Sequence, residues 1–195
     1  MYSSKQRITG FALAGGRSVR MGQDKALLRV GGYPLIQLTV NLLKDLTDQI
    51  FILGPPRKYS SLKVPFLPDQ VASQGPLSAI YTALISSQTR TNLFLACDMP
   101  LMKVEFMELL VEKADNVDAV VMRFDDGTLE PLCAIYNSSC LPQVKTNFED
   151  GKYRLSDLVA QLNVAYIGEK DLRHLRLDRR IFTNLNTLND LKKLG

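Results

Sequence analysis

The sequence lacks any hydrophobic run long enough to cross a membrane. A spanning helix needs about 20 consecutive apolar residues, and no stretch of the 195-residue chain approaches that length. Residues 1–7 lead directly into a short strand-like segment and not into the hydrophobic core of a signal peptide. We therefore expect a cytoplasmic protein that does not engage a membrane.

Cysteine is also scarce. The chain has three cysteines, Cys97, Cys133 and Cys140, at wide spacing. This number and spacing fit neither a disulfide framework nor a Cys-x-x-Cys metal site. Because free cysteine is among the most frequently buried residue types, we expect buried free thiols.

A basic surface of the kind that binds nucleic acid is missing as well, although the net charge is +4. Six basic residues and one acidic residue fall within residues 1–31, so the remainder of the chain is close to neutral. A duplex calls for an extended basic stripe, and RNA-binding strands interleave aromatic with basic residues. We expect no nucleic-acid partner, and the local charge suits a compact polyanion better.

What the chain does contain is an alternation of short apolar runs with longer amphipathic stretches, in a composition that is 46% hydrophobic and 23% charged. This pattern predicts an α/β fold, a three-layer, doubly wound, mostly parallel sheet in one domain over residues 1–195. Sites in such folds lie beyond the carboxyl ends of the strands. The alternating segments are Ile8–Leu13 and residues 34–46, 49–54, 76–87, 92–97 and 104–114.

The second half is less regular. Strand-like residues 117–124 and 132–136 flank Asp125-Asp126-Gly127, a turn signal that predicts a short antiparallel excursion. The charge-rich stretch 170–180 is interpreted as a solvated face. Further patterns predict helices over residues 138–148, 155–162 and 187–194 and a strand at Val164–Ile167.

The most informative segment is the loop at residues 13–25, which follows the first strand. Three glycines within eight positions allow backbone N–H groups to approach an anion closely, and Arg17, Arg20 and Lys25 add positive charge. The spacing matches neither the Walker pattern nor the dinucleotide-binding pattern. A tight turn with solvated basic residues is the ordinary alternative. The charge excess favours phosphate binding.

Two aspartates stand where strands are predicted to end. Asp98 follows the apolar run 92–97, and Asp69 follows Phe66-Leu67-Pro68. Asp98 is placed either to bind a metal or to cap the next helix, and Asp69 either to contact a ligand or to form a turn. The residues alone leave both choices open.

The loop also carries a family resemblance. Residues 13–25 match the pattern Leu-x-Gly-Gly-x-Ser-x-Arg-Met-Gly-x-Asp-Lys and resemble the signature of the molybdenum cofactor guanylyltransferases, the MobA-like nucleotidyltransferase family. The likeness runs from about Ile8 to Leu194, with Leu188 where the family usually has proline. It implies a Rossmann-like nucleotidyltransferase fold that transfers GMP from GTP to a molybdopterin-type cofactor and releases pyrophosphate.

The resemblance also implies roles for individual residues. Asp98 is expected to bind Mg2+ and, with Lys25 and Arg20, to be catalytic, while Asp69 contacts either nucleotide or metal. The positions expected to contact nucleotide are Leu13, Ala14, Gly15, Gly16, Lys25, Gly54, Asp69 and Asp98. The positions expected on the acceptor side are Glu130, Arg154, Asn184 and Asn186.

The expected chemistry needs no general base. The acceptor phosphate has a second pKa of about 6 and is largely ionised at pH 7, which agrees with a chain whose single histidine, His174, lies far from any motif. Two alternatives stay open. One is a nucleotidyltransferase that uses CTP or a sugar phosphate, and the other is a non-catalytic GTP-binding adaptor for molybdoenzyme maturation. Molybdoenzymes and other cofactor-synthesis proteins are the expected protein partners.

Overall fold

The computed structural model describes residues 7–14, 24–54, 59–68, 75–185 and 190. Within these residues, a seven-stranded sheet has the strand order β5-β4-β1-β6-β8-β7-β9, and β2 and β3 form a separate two-stranded hairpin. None of the helices in these ranges has the length and apolar character needed to span a membrane. The strands are β1 Ile8–Leu13, β2 Arg29–Val30, β3 Tyr33–Pro34, β4 Gln49–Leu53, β5 Phe66–Leu67, β6 Thr91–Ala96, β7 Ala119–Arg123, β8 Leu129–Asn137 and β9 Val164–Ile167.

Helices cover the sheet. Helix α1, for example, buries Leu35, Ile36, Val40 and Leu43 at helical spacing. Proline opens α2, where its missing N–H costs no hydrogen bond. The helices are α1 Leu35–Lys44, α2 Pro76–Ser86, α3 Val104–Glu112, α4 Leu141–Glu149, α5 Leu155–Val159 and α6 Glu169–His174.

The first half of the sheet is parallel. β1 pairs in parallel with β4 and β6, and β4 pairs in parallel with β5. All six residues of β1 and of β6 are buried, as expected for strands that are covered on both faces. Phe11 on β1 stacks on Phe51 and Phe94 of the two flanking strands, with ring centroids 5.8 and 5.0 Å apart. The predicted mostly parallel, helix-covered sheet is confirmed.

The predicted antiparallel excursion is also confirmed. β8 lies between β6 and β7 and runs antiparallel to both, while β9 is parallel to β7. Gly127 occupies the turn between β7 and β8 with φ of 82°, a conformation that favours glycine. β8 is longer than the predicted 132–136, because its amino-terminal residues pair with the end of β7 at only partial burial.

Three other segments refine the sequence interpretation. Helix α5 ends at Val159, before the predicted end at residue 162. The stretch read as a solvated face contains α6, which buries Leu172, so that interpretation holds for its charged residues and not for the whole segment. The closing helix predicted over residues 187–194 lies outside the described residues except at position 190.

Candidate active site

The carboxyl ends of three neighbouring strands form the floor of the site. Leu13 at the end of β1 is in register with Leu53 of β4 and with Ala96 of β6. Beyond the strands, Ala14 N donates to Leu53 O at 2.9 Å and Cys97 N donates to Leu13 O at 3.1 Å. The chain therefore brings the segments after β1, β4 and β6 to one edge of the sheet.

Several residues predicted to contact nucleotide lie along this edge. Leu13 and Ala14 are buried at the end of β1, and Gly54 follows β4 beside them. Asp98 follows β6 after one residue. Gly15, Gly16, Arg20, Asp69 and Asn186, which were also predicted, lie outside the described residues.

Lys25 and Asp98 meet directly, although 73 residues separate them. Lys25 begins the short 3-10 helix Lys25–Leu27, and its Nζ lies 2.7 Å from Asp98 Oδ2. Their side chains are 17% and 25% exposed, so the pair is partly shielded from water and its attraction exceeds that of a surface ion pair. The positive turn and the strand-end carboxylate thus face the same crevice.

The second carboxylate oxygen of Asp98 differs from the first in its hydrogen bonding. Asp98 Oδ1 is buried and has no hydrogen-bond partner among the described residues. Burying a carboxylate oxygen without a hydrogen-bond donor is unfavourable in free energy, because its hydrogen bonds to water are lost and none replaces them. Oxygen ligands are those that Mg2+ prefers, and Mg2+ is usually held by one or two carboxylates together with substrate phosphates and water. Asp98 therefore has the chemistry of a metal-binding carboxylate.

A cavity of about 390 Å3, open to solvent, lies near Asp98 but is not lined by it. Leu185 N donates to Asp98 O at 2.8 Å, which holds the preceding residue, Asn184, near the site. Two predicted acceptor-side residues, Glu130 and Asn184, line this one cavity. The full lining is Phe124, Thr128, Leu129, Glu130, Arg179, Phe182, Thr183 and Asn184.

Glu130 is the electrostatically unusual group of the cavity. Burial raises the pKa of its carboxyl group to about 7, and the negative charge of Asp98 acts in the same direction. A hydrogen bond of 3.1 Å from Leu132 N to Oε1 opposes this change. The influence of Asp98 places both carboxyl groups in one electrostatic environment.

Arg154, the fourth predicted acceptor-side residue, lies elsewhere. It precedes α5 as its N-cap residue, is exposed, and is not among the residues that line the cavity. The fold therefore does not bring it together with Glu130 and Asn184 in this cavity. Its predicted role stays a prediction.

Two further residues near this site, Arg179 and Tyr59, belong to none of the motifs predicted from the sequence. Arg179 packs its guanidinium 4.1 Å from the Phe124 ring centroid and forms a 2.7 Å ion pair with Asp126. It belongs to the charge-rich stretch 170–180, where composition gave no sign that one charge lines a cavity. Tyr59 is 1% exposed and donates a 2.7 Å hydrogen bond to Asp24 Oδ2. A lone tyrosine outside any motif offers no sequence signal.

The three cysteines are buried free thiols, as predicted. Cys97 lies directly before Asp98, and burial together with the charge of Asp98 raises the pKa of its thiol to about 12. A thiol that stays protonated is a poor nucleophile and a poor metal ligand. Among the described residues, no group of three or more His, Cys, Asp or Glu side chains is arranged to hold a metal.

Similarity to known proteins agrees with this geometry. A family model described as the MobA-like NTP transferase domain matches residues 10–165. A probable molybdenum cofactor guanylyltransferase of Pelotomaculum thermopropionicum is 36% identical over 95% of this chain and 90% of its own length. A molybdenum cofactor guanylyltransferase of Syntrophotalea carbinolica is 30% identical over 93% of this chain and 87% of its own length.

Solved structures show the same fold. Molybdopterin-guanine dinucleotide biosynthesis protein A of Archaeoglobus fulgidus superimposes with a TM-score of 0.78 at 25% identity, over 95% of both chains. The 2-C-methyl-D-erythritol 4-phosphate cytidylyltransferase of Thermus thermophilus has a TM-score of 0.68 at 14% identity, over 94% of this chain and 95% of its own, and shares the fold. With its matched motif loop and relatives along nearly the whole length, this chain belongs to the MobA-like NTP transferase family and is a nucleotidyltransferase.

Proposed function

We propose that this chain transfers GMP from GTP to a molybdopterin-type molybdenum cofactor and releases pyrophosphate. The observation that carries the proposal is the Lys25–Asp98 pair at the carboxyl edge of the sheet, beside a cavity large enough for part of a second substrate. The names of the curated relatives give the base and the acceptor. In keeping with the sequence, we place the reaction in the cytoplasm and expect molybdoenzymes or other cofactor-synthesis proteins to receive the product.

The proposal assigns Mg2+ to Asp98. The support is the donor set of this carboxylate, with one oxygen on Lys25 Nζ and one buried oxygen without a hydrogen-bond partner among the described residues. When bound, the ion would supply positive charge to the triphosphate. Nucleotide phosphates and water complete such a site, so a single protein carboxylate is sufficient.

Lys25 supplies the second positive charge. Its ammonium group already lies at the carboxyl edge, held at 2.7 Å by Asp98, so little reorganisation is needed when phosphates arrive. A fixed charge at the position where negative charge develops stabilises the transition state more than a mobile one. Lys25 is therefore assigned to the α-phosphate and the departing pyrophosphate.

Bond making and bond breaking occur at the α-phosphorus. An oxygen of the acceptor phosphate attacks it in line, a new P–O bond forms, and the P–O bond to pyrophosphate breaks. Since the acceptor phosphate is largely ionised at neutral pH, no proton has to be removed from the nucleophile. Catalysis then depends on positioning and charge, as in other phosphoryl transfers.

The cavity beside Asp98 is assigned to the acceptor. Phe124 and Phe182 give it apolar walls, while Glu130 and Asn184 offer hydrogen-bonding groups. This mixture of a few polar groups on an apolar lining is typical of small-molecule sites. With the acceptor assigned to this cavity, on the β8 side of Asp98, the β1 and β4 side is left for the nucleotide.

One assay tests the whole proposal. The purified chain is incubated separately with GTP, CTP, ATP and UTP in the presence of MgCl2 and molybdopterin, and pyrophosphate release is followed together with the mass of the product. Release with GTP, and a product carrying one added GMP, is the expected result. Preference for CTP, or turnover with a sugar phosphate in place of molybdopterin, would replace the substrate assignment. GTP binding without turnover would favour the adaptor role.

A further inference from the structure

Tyr59 contacts Asp24, the residue before Lys25, and belongs to none of the motifs of the site. Its side chain is 1% exposed, and its ring stacks on Phe66 of β5 at a centroid distance of 6.1 Å. The hydroxyl group does not take part in that packing. It donates a hydrogen bond of 2.7 Å to Asp24 Oδ2, which crosses 35 residues of sequence.

Asp24 links this phenol to the turn that carries Lys25. Its Oδ1 accepts from Ala26 N at 3.1 Å, which makes Asp24 the cap of the 3-10 helix Lys25–Leu27. Its backbone oxygen accepts from Leu27 N at 3.0 Å. One oxygen of the carboxylate is thus fixed to the core and the other to the turn. The Asp24 side chain therefore connects the core residue Tyr59 to the turn that carries Lys25.

The position of this turn determines where the Lys25 side chain points. Lys25 is the first residue of the 3-10 helix, and its Nζ reaches Asp98 Oδ2 at 2.7 Å. A continuous series of hydrogen bonds and covalent bonds therefore runs from Tyr59 through Asp24 and Lys25 to Asp98. Each link is a short contact of a buried or partly buried group, and a charge-assisted hydrogen bond such as that between Tyr59 and Asp24 is stronger than a neutral one.

We propose that Tyr59 is a positioning residue for nucleotidyl transfer, which holds Asp24 so that the Lys25 ammonium group stays aimed at Asp98 and at the triphosphate. This inference rests on the proposed function, since it assigns the chemistry to Lys25 and Asp98. It adds a residue that touches neither substrate nor metal and acts through Asp24.

The ionisation of the phenol agrees with this role. Burial, reinforced by the hydrogen bond to Asp24 and by its charge, raises the pKa of Tyr59 above its usual range. The phenol therefore stays protonated, and remains a hydrogen-bond donor, at any pH near neutral. A misplacement of about 1 Å of a catalytic group can cost about a hundredfold in rate, so losing one anchor of the turn should affect turnover measurably.

The test separates the hydroxyl group from the ring. Tyr59→Phe keeps the stacking on Phe66 and removes the hydrogen bond to Asp24. We expect kcat with GTP to fall about tenfold, while KM for GTP changes less than twofold. Thr9→Val is the matched control. It also removes a buried hydroxyl group, which accepts a 2.8 Å hydrogen bond from Thr89 at the opposite end of β1, and should leave kcat within twofold of wild type.

A second comparison asks whether Tyr59 acts through Asp24. In an Asp24→Ala background, Tyr59→Phe should lower kcat no further, because the link is already broken. A tenfold additional loss in that background would overturn the inference, and so would a Tyr59→Phe variant with wild-type kcat. A merely structural role predicts a lower melting temperature with unchanged kcat in the folded variant.

A crystal structure of Tyr59→Phe gives a readout that does not depend on turnover. The inference predicts that Lys25 Nζ and Asp98 Oδ2 separate beyond hydrogen-bond distance. An unchanged 2.7 Å contact would overturn it. If the wild-type chain released no pyrophosphate with any triphosphate, the proposed function would fail, and this structure would still decide whether Tyr59 positions Lys25.

Discussion

The two sides of the site are built in different ways. On the nucleotide side, parallel strands β1, β4 and β6 end at one edge, and a tight charge pair of 2.7 Å sits above them. On the proposed acceptor side, antiparallel strand β8 and residues 182–184 line an open cavity with aromatic walls and a carboxyl group whose pKa is raised to about 7. Under the proposed function, the first side neutralises the triphosphate and the second binds the acceptor.

This difference indicates which kinetic constant each side of the site should control in the proposed reaction. Charges fixed on the nucleotide side act on the reacting phosphates, and they should control kcat. Hydrogen bonds and shape on the acceptor side should control which molecule attacks, and therefore the KM of the acceptor. Changes on the two sides should consequently separate in the kinetics.

Metal removal should have the largest effect. We expect chelation with excess EDTA to abolish pyrophosphate release, because Asp98 and Lys25 alone leave much of the triphosphate charge without compensation. Restoring free MgCl2 should restore the rate. Measuring turnover against free Mg2+ concentration checks this, and undiminished turnover in EDTA would remove the metal from the account.

Loss of either charge of the pair should come next. An oriented charge of this kind contributes about 3–4 kcal/mol, so Asp98→Asn or Lys25→Ala should lower kcat roughly a hundredfold or more. Circular dichroism should show both variants folded. Lys145→Ala, which breaks an exposed ion pair of 3.8 Å with Glu149 on α4, serves as a control and should keep near wild-type turnover. Near wild-type rates in the two site variants would eliminate these assignments.

The acceptor side should respond to pH through Glu130. Its carboxyl group has a higher pKa in the folded chain than the ordinary value of 4.5, so its stabilising contribution is complete below pH 4.5 and is lost as pH rises through about 7. Glu130→Gln keeps an acceptor for Leu132 N and cannot ionise. At pH 8 we expect the free energy of unfolding of this variant to exceed that of wild type by about 2 kcal/mol. At pH 4.5 the two free energies should be equal.

Thermal melts at both pH values, without metal or nucleotide, measure this effect. Glu149→Gln, an exposed carboxyl group on α4, is the matched control. If the difference in melting temperature between Glu130→Gln and wild type did not change with pH, the pKa of the Glu130 carboxyl group would not be raised in the folded chain.

The smallest effect is expected from Asn184. A single neutral hydrogen bond contributes about 1 kcal/mol, so Asn184→Ala should raise the KM of the acceptor roughly fivefold and leave the KM for GTP unchanged. Asn41→Ala, an exposed asparagine on α1, should change neither value. If Asn184→Ala raised the KM for GTP instead, the assignment of the two sides would be reversed.

The fold was predictable from the sequence where local signals are strong. The all-buried strands β1 and β6 read as short apolar runs, and Gly127 marks the turn between β7 and β8. The insertion of β8 between β6 and β7 was not predictable, since the order of strands depends on long-range pairing and not on local pattern. Helix α6 was missed because its charged residues outnumber the one buried residue, Leu172.

The site also contains residues that the sequence predicts and residues that it does not. The family resemblance selected Lys25 and Asp98, and the parallel order of β1 and β6 brings the segments that follow these strands to one edge, where the two side chains meet. Glu130 and Asn184 were selected by resemblance, and the structure places them on one cavity. Tyr59 and Arg179 contact residues distant in sequence, Asp24 and Phe124, and such contacts leave no periodic or spacing signal in the sequence.

The most direct test of the central claim is a crystal structure with Mn2+ and a non-hydrolysable GTP analogue. The account predicts an anomalous metal peak at coordination distance from the Asp98 carboxylate, about 2 Å, with the same ion bound to the phosphates and Lys25 Nζ in contact with them. A nucleotide and metal bound away from Asp98, with the 2.7 Å Lys25–Asp98 pair undisturbed, would contradict it.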